Sequence, residues 1–116
     1  MSSWNKNYTS GDVVLLSYYP HKEDKSQGEP RWVICLEDLH DSIIAVPLTK
    51  NTSHQIHNPG SLIITKDCEE GKKMKLLYDS LILPNRALRI YKPKGRKYGS
   101  CSDELIDKLL ELVEIS

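Results

Sequence analysis

The chain has 116 residues, 39% of them apolar and 28% charged, with a formal net charge of zero. That balance suits one globular domain with one hydrophobic core, and it excludes an intrinsically disordered chain. The longest apolar stretches, such as Val13-Val14-Leu15-Leu16, are far too short for a membrane-spanning helix.

The opening residues, Met1-Ser2-Ser3-Trp4-Asn5-Lys6, lack the basic and then apolar regions of a signal peptide. Cys35, Cys68 and Cys101 are scattered and odd in number, with neither metal-ligand spacing nor a disulfide framework. The expectation is reduced thiols in a cytoplasmic protein that needs no cofactor. The zero net charge conceals a segregation. From Lys72 to Lys97 the basic residues are Lys72, Lys73, Lys75, Arg86, Arg89, Lys92, Lys94, Arg96 and Lys97, against Asp79 alone. Acids then dominate from Asp103 to Glu114. This asymmetry fits either a phosphate-binding surface or a solvated lysine-rich loop.

In chain order, Val13 to Tyr19 reads as a strand stopped by Pro20, and the polar run from His21 to Pro30 as a connection. Arg31 to Leu36 is a second strand. Ser42-Ile43-Ile44-Ala45-Val46-Pro47-Leu48 is a third, and its near-continuous apolar character predicts burial on both faces. Pro47 lacks a ladder donor, so the strand is expected to end or become an edge there. Asn51 to Gly60 is a loop. Leu62 to Thr65, Leu81 to Leu83 and Leu88 to Tyr91 are short strands. From Leu105 the apolar residues recur at three- and four-residue spacing, which predicts a helix from about Ser102 to Ile115. Ser100 or Ser102 can cap it, and Leu105, Leu109 and Val113 should face the sheet. Short strands followed by one helix predict a bent antiparallel sheet of five to seven strands with the helix laid across it.

Several landmarks stand in order along the chain. Gly11-Asp12-Val13-Val14 opens the first strand, and Gly28-Glu29-Pro30-Arg31-Trp32-Val33-Ile34 starts the second. Ile44-Ala45-Val46-Pro47-Leu48-Thr49 ends the third, and Asp79-Ser80-Leu81-Ile82-Leu83 comes later. Gly99-Ser100-Cys101-Ser102-Asp103-Glu104-Leu105 opens the last helix. This series resembles the MazF/PemK toxins over roughly Gly11 to Val113. The resemblance implies a mainly β, SH3-like barrel with a C-terminal α-helix, one domain over 1–116 with its core in about 11–116. It also implies a homodimer, a cognate antitoxin protein as partner, and metal-independent, sequence-selective cleavage of single-stranded RNA. By position the family's catalytic arginine and threonine fall on Arg31 and Thr49. The chain departs from the family pattern at Ser26, where some members have a glutamate, at Trp32, where proline is usual, and at Asn85-Arg86.

RNA is cut without metal when its own 2′-hydroxyl attacks the adjacent phosphate. The guanidinium of Arg31 suits the developing phosphorane but stays protonated and makes a poor base. Thr49 can donate a hydroxyl to a phosphate oxygen, or satisfy a turn. Candidates for proton transfer are Glu29, on the same strand face as Arg31, and His57 or His54 in the following loop. A surface ion pair with Arg31 is the competing role for Glu29, and plain loop polarity the competing role for the histidines. Lys50, His54, Arg86 and Arg89 are the candidate RNA-binding residues. Trp32 should point to the core, while Trp4 and Tyr8 can pack on the barrel or touch RNA. The competing function is a non-catalytic barrel of the same fold that binds RNA or a protein target such as DNA gyrase.

Overall fold

The computed structural model describes residues 8–20 and 28–113. Trp4, Ser26 and Ile115 lie outside them. The first strand, β1 (Asp12–Pro20), pairs antiparallel with β2 (Gly28–Asp38), which pairs antiparallel with β3 (Ser42–Thr49). Their β-branched and aliphatic runs supply both faces. Val13, Ile34, Ile44 and Val46 lie in one buried cluster, and Val14, Val33, Ile43 and Ala45 in a second. The period-two alternation of strands makes this split, so the unbroken apolar run of β3 is explained by burial on two sides.

Beyond Thr49 the chain makes a 3₁₀ turn over Thr52–His57 and then β4 (Leu62–Ile64). A short helix, α1 (Glu69–Met74), leads to β5 (Ser80–Ile82). A second 3₁₀ turn, Pro84–Arg86, precedes β6 (Leu88–Tyr91), and β7 (Gly95–Ser100) precedes the last helix, α2 (Asp103–Leu112). The spatial order is β4-β5-β3-β2-β1-β7, with β6 also on β3, and every pair is antiparallel. The sheet curls strongly into a half-barrel, as the expected mainly β, MazF/PemK-type architecture requires.

Pro47 does not end its strand. β3 runs through it to Thr49 because the proline falls where one neighbour gives way to another. β6 pairs only as far as Ala45, and β5 begins at Leu48. The Pro47 carbonyl accepts from the Leu83 backbone N–H at 3.0 Å, so the missing N–H faces the gap between those two partners.

The helix α2 begins as expected. The Ser102 hydroxyl accepts from the Leu105 N–H at 3.2 Å, and Asp103 and Glu104 occupy its positive first turn. Leu105, Ile106 and Leu109 are buried and Val113 packs against the same cluster. Burying each leucine contributes roughly 1.5–3 kcal/mol. Gly99 and Ser100 end β7 rather than opening the helix. Ser102 also binds Glu70 of α1 through its backbone N–H at 2.9 Å and through its hydroxyl. α1 sits close against its neighbours. A Cβ on Gly71 would lie 2.0 Å from the Thr65 carbonyl oxygen, and one on Gly99 2.5 Å from that of Met74. Tyr8 is buried, with its hydroxyl donating to the Gly95 carbonyl at 3.2 Å. Among the described residues no helix is long and apolar enough to cross a membrane.

Candidate functional site

At one end of the β2–β3 ladder Val33 lies opposite Pro47. Two residues further in the same antiparallel register lie Arg31 and Thr49. Glu29 leaves the same face of β2 as Arg31. The outcome is an open groove of about 430 Å³ whose walls include Glu29, Arg31, Thr49, Lys50, His54 and Arg86. His57 is exposed in the last turn of its 3₁₀ segment and does not line the groove. Arg89 lies toward the opposite end of β3, paired across from Ile44.

The turn after β3 is held by its own side chains. The Thr49 hydroxyl oxygen accepts from the Asn51 N–H at 3.2 Å, which leaves its proton free to donate. The Asn51 amide nitrogen is 3.0 Å from His54 Nε2. Asn58, 3% exposed, then ties this loop to the next. Its amide donates to the His54 carbonyl at 2.7 Å, and its Oδ1 accepts from Asn85 at 3.1 Å and from Arg86 Nε at 3.2 Å. The buried Tyr19 hydroxyl donates to the Arg86 carbonyl at 2.7 Å. Arg86 is therefore fixed by both its side chain and its backbone.

Arg31 stands over the Tyr19 ring, 5.8 Å from its centroid. Among the described residues no carboxylate lies within ion-pair distance of it, so the competing role of Glu29, an ion pair with Arg31, is not a contact pair. Burial lowers the Arg31 pKa below the ordinary arginine value, with Tyr19 and then Glu29 acting in the opposite direction. Burial likewise raises that of Tyr19, which keeps the phenol a neutral donor. The groove thus presents three cations, Arg31, Lys50 and Arg86, with one carboxylate and one imidazole beside them. Such a wall suits a phosphodiester. Among the described residues no group of three His, Cys, Asp or Glu side chains is placed to hold a metal ion.

The family model described as "PemK-like, MazF-like toxin of type II toxin-antitoxin system" matches residues 9–116. The chain belongs to that toxin family. No curated protein matches it individually. Membership in the type II toxins implies an antitoxin partner.

Two features of this toxin's site were not visible in its sequence. Tyr19 ended an apolar strand and gave no sign that it would buttress two arginines. Asn58 sat in a polar loop where asparagine is ordinary. Trp32, expected in the core, is half-buried. It packs on the apolar cluster and meets the Tyr98 ring at 4.7 Å between centroids, with one side on the groove. The basic stretch from Lys72 to Lys97 is divided among several elements. Its members are spread over α1 and its C-cap, the second 3₁₀ turn, β6, the connection after it and β7, and Arg89 and Lys97 pair with Asp41 and Asp12.

Proposed function

We propose that this toxin is a sequence-selective endoribonuclease that cuts single-stranded RNA without a metal ion. It acts in the cytoplasm as a two-fold homodimer, restrained by its cognate antitoxin. The observation that carries the reading is the meeting of Arg31 and Thr49 on one groove with Lys50, Arg86, Glu29 and His54. The 2′-hydroxyl forms a bond to phosphorus as the bond to the 5′-oxygen breaks. Arg31, Lys50 and Arg86 stabilise the charge that gathers on the phosphoryl oxygens. The Thr49 hydroxyl donates to one of them. Glu29 and His54, both on the groove wall, are the groups able to take the 2′ proton and to protonate the leaving oxygen. His54 is better placed for this than His57. A dimer doubles the basic surface available to a strand longer than one groove.

The test is incubation of pure protein with a long RNA in EDTA. Discrete fragments bearing 5′-hydroxyl ends are expected. Intact RNA that nevertheless binds would point to the non-catalytic barrel. Light scattering at micromolar concentration should give twice the 13.3 kDa chain mass.

A further inference from the structure

Next to the groove lies a second cavity of about 270 Å³, which shares Trp32, Leu48, Thr49 and Lys50 with it. Its other walls are different in kind. Leu76, Leu77 and Tyr78 follow the left-handed C-cap Lys75 of α1, and their side chains build an apolar and aromatic face. Leu77 is 69% exposed and Tyr78 58%, although both are large hydrophobic residues beside a cationic groove. Trp32 on the facing wall is braced by the Tyr98 ring. The Lys50 ammonium sits at the junction, 5.3 Å from the Tyr78 ring centroid, within reach of both cavities.

Resting on the nuclease reading above, we propose that this pocket takes one unpaired base of the RNA, adjoining the phosphate held in the groove. The chemistry favours that occupant. A nucleotide carries an anionic phosphate and a flat π-face a few ångströms apart. Here a cationic wall and a ring-lined apolar pocket are joined through shared residues in the same order. Tyr78 offers a stacking surface that costs little side-chain entropy to order, and Lys50 can bind the phosphate from beside the ring. The pocket would thus hold the strand in register over Arg31 and Thr49 and contribute to which sequences are cut.

The probe is a fluorescent single-stranded RNA of mixed sequence carrying 2′-O-methyl riboses. It lacks the attacking hydroxyl and reports binding whether or not the protein cuts. Tyr78 is more than half exposed, so truncating it leaves the core intact. Tyr78→Ala should weaken binding roughly ten- to a hundredfold, the worth of one base stack. It should leave the slope of log affinity against log salt unchanged, because no phosphate contact is lost. Lys50→Gln should instead reduce that slope by about 0.7. Tyr78→Phe, which keeps the ring, should restore the affinity. An abasic ribose-phosphate oligomer of the same length should bind Tyr78→Ala and the parent equally. Equal affinity of Tyr78→Ala and the parent for the base-bearing RNA would overturn the proposal, as would an equal loss on the abasic oligomer. A parent protein that leaves ordinary RNA intact in EDTA would overturn the nuclease reading, while these affinities would still decide the pocket.

Discussion

Two arginines sit toward opposite ends of β3, each over a tyrosine ring, and they are handled in opposite ways. Arg89 lies 4.8 Å from the Tyr91 ring centroid, donates to the Ser42 hydroxyl at 2.8 Å and pairs with the Asp41 carboxylate at 3.4 Å. Its charge is answered within the fold and washed by solvent. Arg31 is half-buried over Tyr19, has no carboxylate partner among the described residues and shares its groove with the cations Lys50 and Arg86. A charge drawn out of water without a counter-charge is unfavourable in the free protein. The unpaired arginine at the groove end is therefore the one whose charge an incoming phosphate can satisfy. The paired one mainly holds a turn.

Substitutions at the two ends should separate them widely. Arg31→Ala is expected to slow RNA cleavage by two orders of magnitude or more, on the order of 3 kcal/mol of transition-state stabilisation. Arg31→Lys should recover only part, since one ammonium cannot reproduce the fork. Burial opposes positive charge at this site, so the lysine would lose its proton at a lower pH than usual. Its residual activity should then fade as pH rises, whereas the parent keeps its cation. Arg89→Ala should cost less than about fivefold, as expected for an exposed pair. Equal losses at Arg31 and Arg89 in single-turnover assays would erase the contrast drawn here.

A smaller effect is expected at the partner strand. Thr49→Val deletes the hydroxyl with little change of shape, and a lost hydrogen bond to a charged oxygen corresponds to about ten- to a hundredfold in rate. Thr49→Ser keeps both the donor and the acceptor for the Asn51 N–H, and should restore the rate. If Thr49→Val cuts as fast as the parent, the hydroxyl serves only the turn.

Asn58→Ala would strip the acceptor from two part-buried donors, Asn85 and Arg86, at about 0.5–1.5 kcal/mol of folding stability. Urea denaturation should show the midpoint falling without a change in slope. RNA affinity should fall with it, because Arg86 is no longer held toward the groove. Asn58→Ala with unchanged affinity would show that Arg86 needs no such support.

The smallest effect belongs to the Arg89 end. The Asp41 carboxyl is held below its ordinary 3.8, first by the Ser42 hydroxyl and then by Arg89. A depressed carboxyl stabilises the fold fully above the unfolded value, and that contribution disappears as pH falls through the folded one. Asp41→Asn should therefore melt slightly below the parent at neutral pH, with the gap closing in acid. A gap that widened in acid would reverse the assignment.

Much of this arrangement was legible in one dimension. The alternating and continuous apolar runs marked β1, β2 and β3. The three- and four-residue spacing from Leu105 marked α2, and Ser102 marked its cap. Because Arg31 lies near the start of one strand and Thr49 ends the next, antiparallel pairing was enough to expect them side by side. Local order of that kind depends on short-range periodicity, which a sequence displays directly.

Other elements have no such signature. The six residues of α1 include Gly71 and are too few to show a helical period. The helix exists because Cys68 caps it, Gly71 lets it approach Thr65, and Glu70 binds Ser102 far along the chain. β7 reads Gly-Arg-Lys-Tyr-Gly-Ser, without alternation or β-branched residues, and is a strand because the open edge of β1 supplies its partners. The placements of Tyr19, Asn58 and Arg86 around Arg31, and of Tyr78 beside Lys50, also span distant segments. The sequence by itself determined which residues could bury and which could carry charge, since those are properties of single side chains and their spacing. Only the tertiary structure decided which arginines would be left without a carboxylate among the described residues, because that depends on where distant strands bring their charges to rest.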